Sequence, residues 1–124
     1  MASEWYPFIL TDSVTVSANG TGTLELSIGA TEEFEGASIH FLSTGSFQIT
    51  SIKDSGGKPY TDADSTNVID STLFTTSRSQ NKGVQDFYAK LQLVPNTTLF
   101  IDVKDTSGSS NTIRCYIIGK KRSI

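Results

Sequence analysis

Two aspartates with alternating spacing are the sequence's nearest approach to a metal-binding motif. Asp62 and Asp64 begin like a calcium loop, in which carboxylates alternate with other residues. The sixth position of that loop would be Asn67 where glycine is required, and the twelfth would be Leu73 where glutamate is required. We therefore interpret both aspartates as turn-forming residues.

The single histidine and the single cysteine form no recognisable catalytic group. His40 faces opposite to Phe41 in a predicted strand, which indicates a surface residue. Cys115 shares a face with Ile113 and Ile117 and is expected to be a small buried hydrophobe. A cysteine nucleophile needs a base and an orienting group, and the sequence suggests neither. We predict that the protein is not an enzyme and has no catalytic residue, metal site or cofactor.

Composition narrows the class of protein further. The chain has 124 residues, a length typical of one domain, and serine and threonine supply 33 of them. The net charge of −3 argues against a protein that coats nucleic acid. Because of this acidic charge, nucleic acid is not predicted as a partner. We find no apolar run long enough for a membrane helix and expect no signal peptide, so a membrane is not predicted as a partner either.

The dominant period of the sequence is two, which predicts strands rather than helices. Turn residues follow each alternating segment, and the Asn19-Gly20 pair between two such segments is a strong hairpin signal. We predict hairpins from 12–18 with 23–28, from 37–42 with 46–52, and from the two segments around Ile101 and Ile113. Residues 29–36 are predicted to be an acidic connection with room for one helical turn. Seven or eight strands predict an all-β, single-domain antiparallel sandwich of jelly-roll type.

Aromatic residues near the N-terminus suggest an interface. Trp5, Tyr6 and Phe8 precede the first predicted strand, and such an arm either packs back as an edge strand or docks on a neighbouring subunit. Tyr60 belongs to the long loop 53–66, Phe74 to a short apolar stretch with Val68, Ile69 and Leu73, and a polar loop follows at 75–86. We hypothesise that these five aromatic residues form an interface. We also weigh a sugar-stacking platform built from Trp5, Tyr60 and Tyr88.

These boundaries divide the chain into three parts. Residues 1–10 are the aromatic arm, 11–119 the β-sandwich domain, and 120–124 a basic tail. The cations of the tail either meet an acidic partner or a nucleic acid, or simply keep the last strand solvated, and we adopt the last interpretation.

Motifs between Ser43 and Lys120 resemble those of a known group. They are Ser43-Thr44-Gly45-Ser46-Phe47-Gln48-Ile49, Ile52-Lys53-Asp54-Ser55-Gly56-Gly57, Asn96-Thr97-Thr98-Leu99, Ile101-Asp102-Val103-Lys104-Asp105-Thr106-Ser107-Gly108, Asn111-Thr112-Ile113 and Gly119-Lys120. In outline, residues 37–119 resemble small β-sandwich proteins of phage virions, the head-decoration or capsid-cementing proteins.

The resemblance implies a jelly-roll fold and a structural function. It implies that the protein stabilises a phage head by bridging subunits of the major capsid protein, as a homotrimer, and that it is located on the capsid surface after synthesis in the host cytoplasm. The alternative that we keep is a carbohydrate- or ligand-binding sandwich module of a tail or fibre protein.

Overall fold

The fold is built from eight strands and one short 3-10 turn. A computed structural model describes residues 4–64, 66–73 and 85–124. The strands are β1 (Tyr6–Val16), β2 (Thr21–Ser27), β3 (Glu32–Ser43), β4 (Phe47–Asp54), β5 (Ile69–Asp70), β6 (Gln85–Leu93), β7 (Thr98–Asp105) and β8 (Asn111–Ser123). The 3-10 turn is Ser71–Leu73. No helix in the described ranges has the length and apolar character that would let it cross a membrane.

The strands form two four-stranded antiparallel sheets. The front sheet has the order β1-β8-β3-β6, and the back sheet has the order β2-β7-β4-β5. Sequential strands alternate between the sheets up to β4, and the first and last strands pair with each other. This is the eight-stranded jelly-roll arrangement. The prediction of an all-β jelly-roll sandwich is confirmed.

The three predicted hairpins are wrong. β1 pairs with β8 and β2 pairs with β7, so the Asn19 turn carries the chain from one sheet to the other. β3 and β4 are likewise in different sheets, as are β7 and β8. Alternation reveals which side chains face the core, but it carries no information about the neighbouring strand. A tight turn between two half-buried strands therefore fits a sheet-to-sheet crossing as well as a hairpin.

The core lies between the sheets and is made by the alternation that the sequence displays. In the back sheet, Leu24, Leu26, Ile101 and Val103 are almost fully buried. Each such side chain stabilises the fold by about 1.5–3 kcal/mol relative to its exposed state. Cys115 is buried in the same core, as expected from its position between Ile113 and Ile117.

The aromatic arm and the basic tail are both parts of strands. Tyr6 pairs with Lys121, and β1 continues through residue 10 without a break. β8 runs on to Ser123, beyond the start of the tail. Of the two alternatives for the arm, the structure has the edge strand. The boundaries at residues 10 and 119 therefore have no counterpart in the fold.

The acidic segment is also a strand, which corrects the predicted connection. Glu32, Glu33 and Glu35 belong to β3, and their register places them beside the basic residues of β8. Glu33 lies opposite Arg122, and Glu35 lies opposite Lys120.

Candidate docking face and groove

The outer face of the front sheet carries exposed apolar side chains. Ile9 and Ile118 are cross-strand partners and are 53% and 39% exposed. The half-buried Tyr116 follows along β8, and Leu42, 49% exposed, lies on β3 opposite Arg114. We call Ile9, Leu42, Tyr116 and Ile118 the apolar patch. These four side chains lie on one face of the sheet and leave apolar area exposed, which is typical of an interaction surface.

The outer face of the back sheet is different in chemistry. Its β2 side chains are Thr21, Thr23, Glu25 and Ser27. Thr23 donates a hydrogen bond to Asp102 at 2.7 Å, and the hydroxyls of Ser27 and Thr98 are 2.8 Å apart. β2, β4, β5 and β7 carry no large apolar side chain that is exposed. The back face is thus mostly polar, and the outward-facing Phe100 on β7 is half-buried.

The edges of the back sheet are also covered. The backbone N–H of Glu25 in the edge strand β2 donates to the Asp12 carboxylate at 2.7 Å. On the opposite side, Pro59 forms a bridge to Lys53 of β4, and the Tyr60 N–H donates to the Ile52 carbonyl. Covered edges discourage pairing with another chain. The back sheet therefore offers neither an apolar face nor an open edge at these positions.

Charged side chains pair across β3 and β8 at one end of the front sheet, which we call the arm end. Lys121 lies 3.0 Å from Glu32, Lys120 lies 3.8 Å from Glu35, and Arg122 contacts Glu33. The Gly29 N–H, and then Lys121, hold the pKa of the Glu32 carboxyl below its usual value. The cations of the basic tail are therefore paired with acidic residues of the same chain.

Trp5 lies over two of these cations. The Arg122 guanidinium is 4.5 Å and the Lys120 ammonium 5.0 Å from the indole. Residues two apart on a strand project from the same face, so both cations approach the ring from the sheet. Beside the ring lies a groove of about 260 Å³. We call it the Trp5 groove, and it is lined by Trp5, Glu33, Phe34, Glu35, Gln92, Leu93, Val94 and Arg122.

Tyr6 and Phe8 lie near Trp5 but contact the inside of the sandwich. The Tyr6 and Phe8 rings meet edge-on at 6.4 Å, and Phe8 meets the buried Phe34 at 6.3 Å. Lys121 lies 3.8 Å above the Phe8 ring. The structure therefore brings Tyr6 and Phe8 together, whereas Trp5 contacts Lys120 and Arg122. Tyr6 is 43% exposed.

Tyr60 is held within the connection that follows β4. Its hydroxyl donates to the Asp54 carboxylate at 3.0 Å, and its ring packs against the core. Partial burial and the neighbouring Asp54 raise the pKa of Tyr60 to about 12. The hydrogen bond from the N–H of Lys58 is the main cause that lowers the pKa of the Asp54 carboxyl below its usual value. Tyr60 is thus fixed in its own loop; Phe74 lies outside the described residues, as does the side chain of Tyr88.

The opposite end of the sandwich is held by two fully buried polar side chains, which sequence reasoning missed. We call Asp105 and Asn111 the clasp, and the end of the sandwich that they hold the clasp end. The Asn111 amide donates to the carbonyls of Gly45 and Ser46 and to Asp105. Asp105 also accepts from the N–H of Asn19 at 2.9 Å. Three sheet-crossing turns are thereby joined.

Hydrogen bonds keep the clasp carboxylate ionised. The Ser107 hydroxyl, above all, with the Asn19 N–H and Asn111, lowers the pKa of Asp105 far below its ordinary value, against the effect of desolvation. A signal for the clasp is present in the sequence. Asp105 continues the inward series of Ile101 and Val103, so a carboxylate falls at a core position.

The residues considered as metal ligands or nucleophiles lie in a turn, in a strand or in the core. Asp64 accepts hydrogen bonds from the N–H groups of Thr66 and Asn67, which is the geometry of a turn. Burial, and secondarily the charge of Asp12, raises the pKa of the Cys115 thiol. A thiol with a raised pKa is a poor nucleophile at neutral pH. His40 is half-buried, and the described ranges contain no cluster of three or more His, Cys, Asp or Glu able to hold a metal ion.

No family model, no curated protein and no solved structure matches this chain. The resemblance to phage virion proteins stays a sequence-based expectation.

Proposed function

We propose that this protein is a structural component of a phage particle, a decoration or cementing protein that docks on subunits of the major capsid protein. The observation that carries the proposal is the contrast between the two outer faces. One face exposes Ile9, Ile118 and Leu42, whereas the other is covered by Ser and Thr hydroxyls with hydrogen-bond partners. A stable interface needs about 800 Å² on each partner, which is the scale of one sandwich face.

The docking surface that we propose is the apolar patch of the front sheet. Ile9 and Ile118 lie side by side on β1 and β8, so a partner that covers one also covers the other. A rim of charged residues borders the patch on the side of Lys120. An apolar centre with a polar rim is the usual organisation of protein interfaces. Buried area, rather than catalysis, would then be the function of the protein.

We further propose a homotrimer, because cementing proteins that bridge neighbouring subunits are expected to follow the symmetry of the shell. Light scattering on the isolated protein tests this. A trimer has three times the chain mass of 13.4 kDa, and a mass of one chain at all concentrations would contradict the trimer.

Co-sedimentation with purified, expanded phage heads tests docking. Ile118→Lys places a charge in the centre of the patch, and we expect it to weaken binding by more than about tenfold. Thr23→Lys, the matched control, places the same charge on the exposed back face. If the two variants bind heads equally well, docking through the front face is wrong.

A deletion of residues 1–10 is not a clean test of the arm. It would remove half of β1, including the buried Leu10, and would destabilise the sandwich. Tyr6→Ala is cleaner, because Tyr6 is exposed and its ring contacts Phe8 only at an edge. If the arm contributes to docking, this variant binds heads more weakly while its thermal unfolding stays close to wild type.

A further inference from the structure

The Trp5 groove lies on the front face, beyond the apolar patch. Trp5 directly precedes β1 and is four residues from Ile9, a distance of about 13 Å along an extended chain. The floor of the groove belongs to β3, with β8 on one side and β6 on the other. The groove and the patch are therefore separate surfaces that can be altered independently.

The charges of the groove are balanced. Glu33 contacts Arg122, and Glu35 lies 3.8 Å from Lys120, so each carboxylate has a cation beside it on β8. On the β6 side, the neighbours are neutral, because Gln92 lies opposite Glu35 and Val94 follows the end of the strand. With Lys120, which borders the groove outside its lining, two carboxylates and two cations give no net charge, so attraction favours neither a cation nor an anion. A neutral ligand fits such a site.

The groove nevertheless offers both kinds of hydrogen-bonding group. The Glu33 and Glu35 carboxylates accept, while the Arg122 guanidinium and the Gln92 amide donate. The indole of Trp5 and the 62%-exposed Val94 supply apolar surface on either side of them. A few placed polar groups between apolar walls are typical of small-ligand sites, and 260 Å³ is near the small end of their range.

The backbone of β3 beneath the groove is paired with both neighbouring strands. β3 is paired with β8 at Glu33 and Glu35, and with β6 at Phe34 and Glu35. A peptide that binds by strand addition needs free backbone groups at a sheet edge, and β3 has none there because it is paired on both sides. Recognition over β3 therefore depends on side chains.

We propose that the Trp5 groove binds a neutral saccharide. A sugar ring has an apolar C–H face that packs on an indole, and its hydroxyls both donate and accept hydrogen bonds. These features match the exposed part of Trp5 and the mixed donors and acceptors of Glu33, Glu35, Gln92 and Arg122. The site would allow a decorated particle to attach to a polysaccharide, an activity separate from cementing.

An array of neutral oligosaccharides, probed with the whole protein, tests the proposal. We expect binding to one class of glycan, followed by saturable quenching of the fluorescence of Trp5, the single tryptophan, when that glycan is titrated. Trp5→Ala should abolish array binding, whereas Trp5→Phe should retain part of it. Gln92→Ala keeps the fluorophore and should weaken binding by about tenfold or less, the effect of about one hydrogen bond.

Gln48→Ala is the matched control, since it makes the same change on the back sheet. It should bind as wild type does, and circular dichroism confirms that every variant is folded. Absence of binding to all neutral glycans overturns the proposal, as does binding that Trp5→Ala leaves unchanged. Binding of charged glycans or of peptides alone also overturns it.

The outcome is independent of capsid docking. Ile118→Lys should lose binding to phage heads and keep glycan binding, while Gln92→Ala should bind heads as wild type does and bind glycan more weakly. A protein that binds glycans but no heads would leave the saccharide site in place and would contradict only the cementing function.

Discussion

At the clasp end of the sandwich, the buried Asp105 and Asn111 side chains join three turns, whereas at the arm end six charged side chains pair across β3 and β8 near solvent. The clasp hydrogen bonds have no water to replace them if they are lost. The arm-end ion pairs have water beside them, and Lys120 and Arg122 keep 45% and 34% of their side-chain area exposed. Buried hydrogen bonds should therefore contribute most to stability at the clasp end, whereas the partly exposed ion pairs should contribute little at the arm end.

The largest expected effect is at the clasp. Asn111→Ala removes the amide donor to Gly45, Ser46 and Asp105 and leaves buried acceptors unsatisfied. We expect a loss of about 3 kcal/mol in the free energy of unfolding, measured by urea denaturation. Asn67→Ala changes an exposed asparagine and should alter stability by less than about 0.5 kcal/mol. Equal effects of the two substitutions would contradict the stabilising role of the clasp.

A second prediction concerns the backbone of the arm end. An added methyl at Gly119 would overlap the carbonyl oxygen of Glu35 and come within 2.8 Å of the Gly36 Cα. Since β3 and β8 would have to separate there, we expect Gly119→Ala to cost about 2 kcal/mol. Gly56→Ala is the control, because its methyl meets only the Asp54 side chain at 3.3 Å. Thermal unfolding of both variants tests whether close strand pairing, rather than charge, stabilises this end.

The pH dependence of stability should come largely from the clasp. Asp105 has a lowered pKa in the folded protein, so its contribution is present above the unfolded value of about 3.9 and is lost as pH falls below it. Asp105→Asn should flatten the decline of the unfolding free energy between about pH 5 and pH 2. Asp64→Asn, at an exposed turn whose carboxyl pKa is also lowered, should flatten it less. A larger effect at Asp64 would contradict the contrast between the ends.

The smallest effect is expected from the ion pairs. Glu33→Gln keeps the shape of the side chain that contacts Arg122 and removes its charge. We expect a loss below about 1 kcal/mol in dilute buffer, which disappears in about 1 M salt because the pair is partly exposed. Urea denaturation at both salt concentrations measures it. A loss of unfolding free energy that persists at high salt would mean that the ion pair is shielded from solvent, as the clasp hydrogen bonds are.

Much of the fold could be predicted from alternation, because a period of two marks which side chains face the core. The strands around Leu24, Phe47, Ile101 and Ile113 were found in this way. The neighbouring strands with which they pair could not be predicted, since Asn19-Gly20 suits a sheet crossing as well as a hairpin. The strand nature of the arm was obscured because its apolar run is short and interrupted by Pro7, which an edge strand tolerates.

The candidate site was only partly accessible from the sequence. Trp5, Tyr6 and Phe8 were identified as a group, but their contact with Lys120, Lys121 and Arg122 depends on the pairing of β1 with β8. The complementary clusters Glu32-Glu33 and Lys120-Lys121-Arg122 are a signal for that neighbourhood. Two oppositely charged segments in separate strands indicate a pairing that neither segment indicates alone. The groove itself needs three strands in register, which no local pattern predicts.

The most direct test of the central claim is a cryo-electron microscopy reconstruction of expanded phage heads saturated with this protein. Our account predicts a jelly-roll domain whose front sheet faces the shell, with Ile9 and Ile118 against the major capsid protein and the Ser/Thr-rich back sheet toward solvent. A bound domain with its back sheet against the shell, or heads without added density, would contradict it.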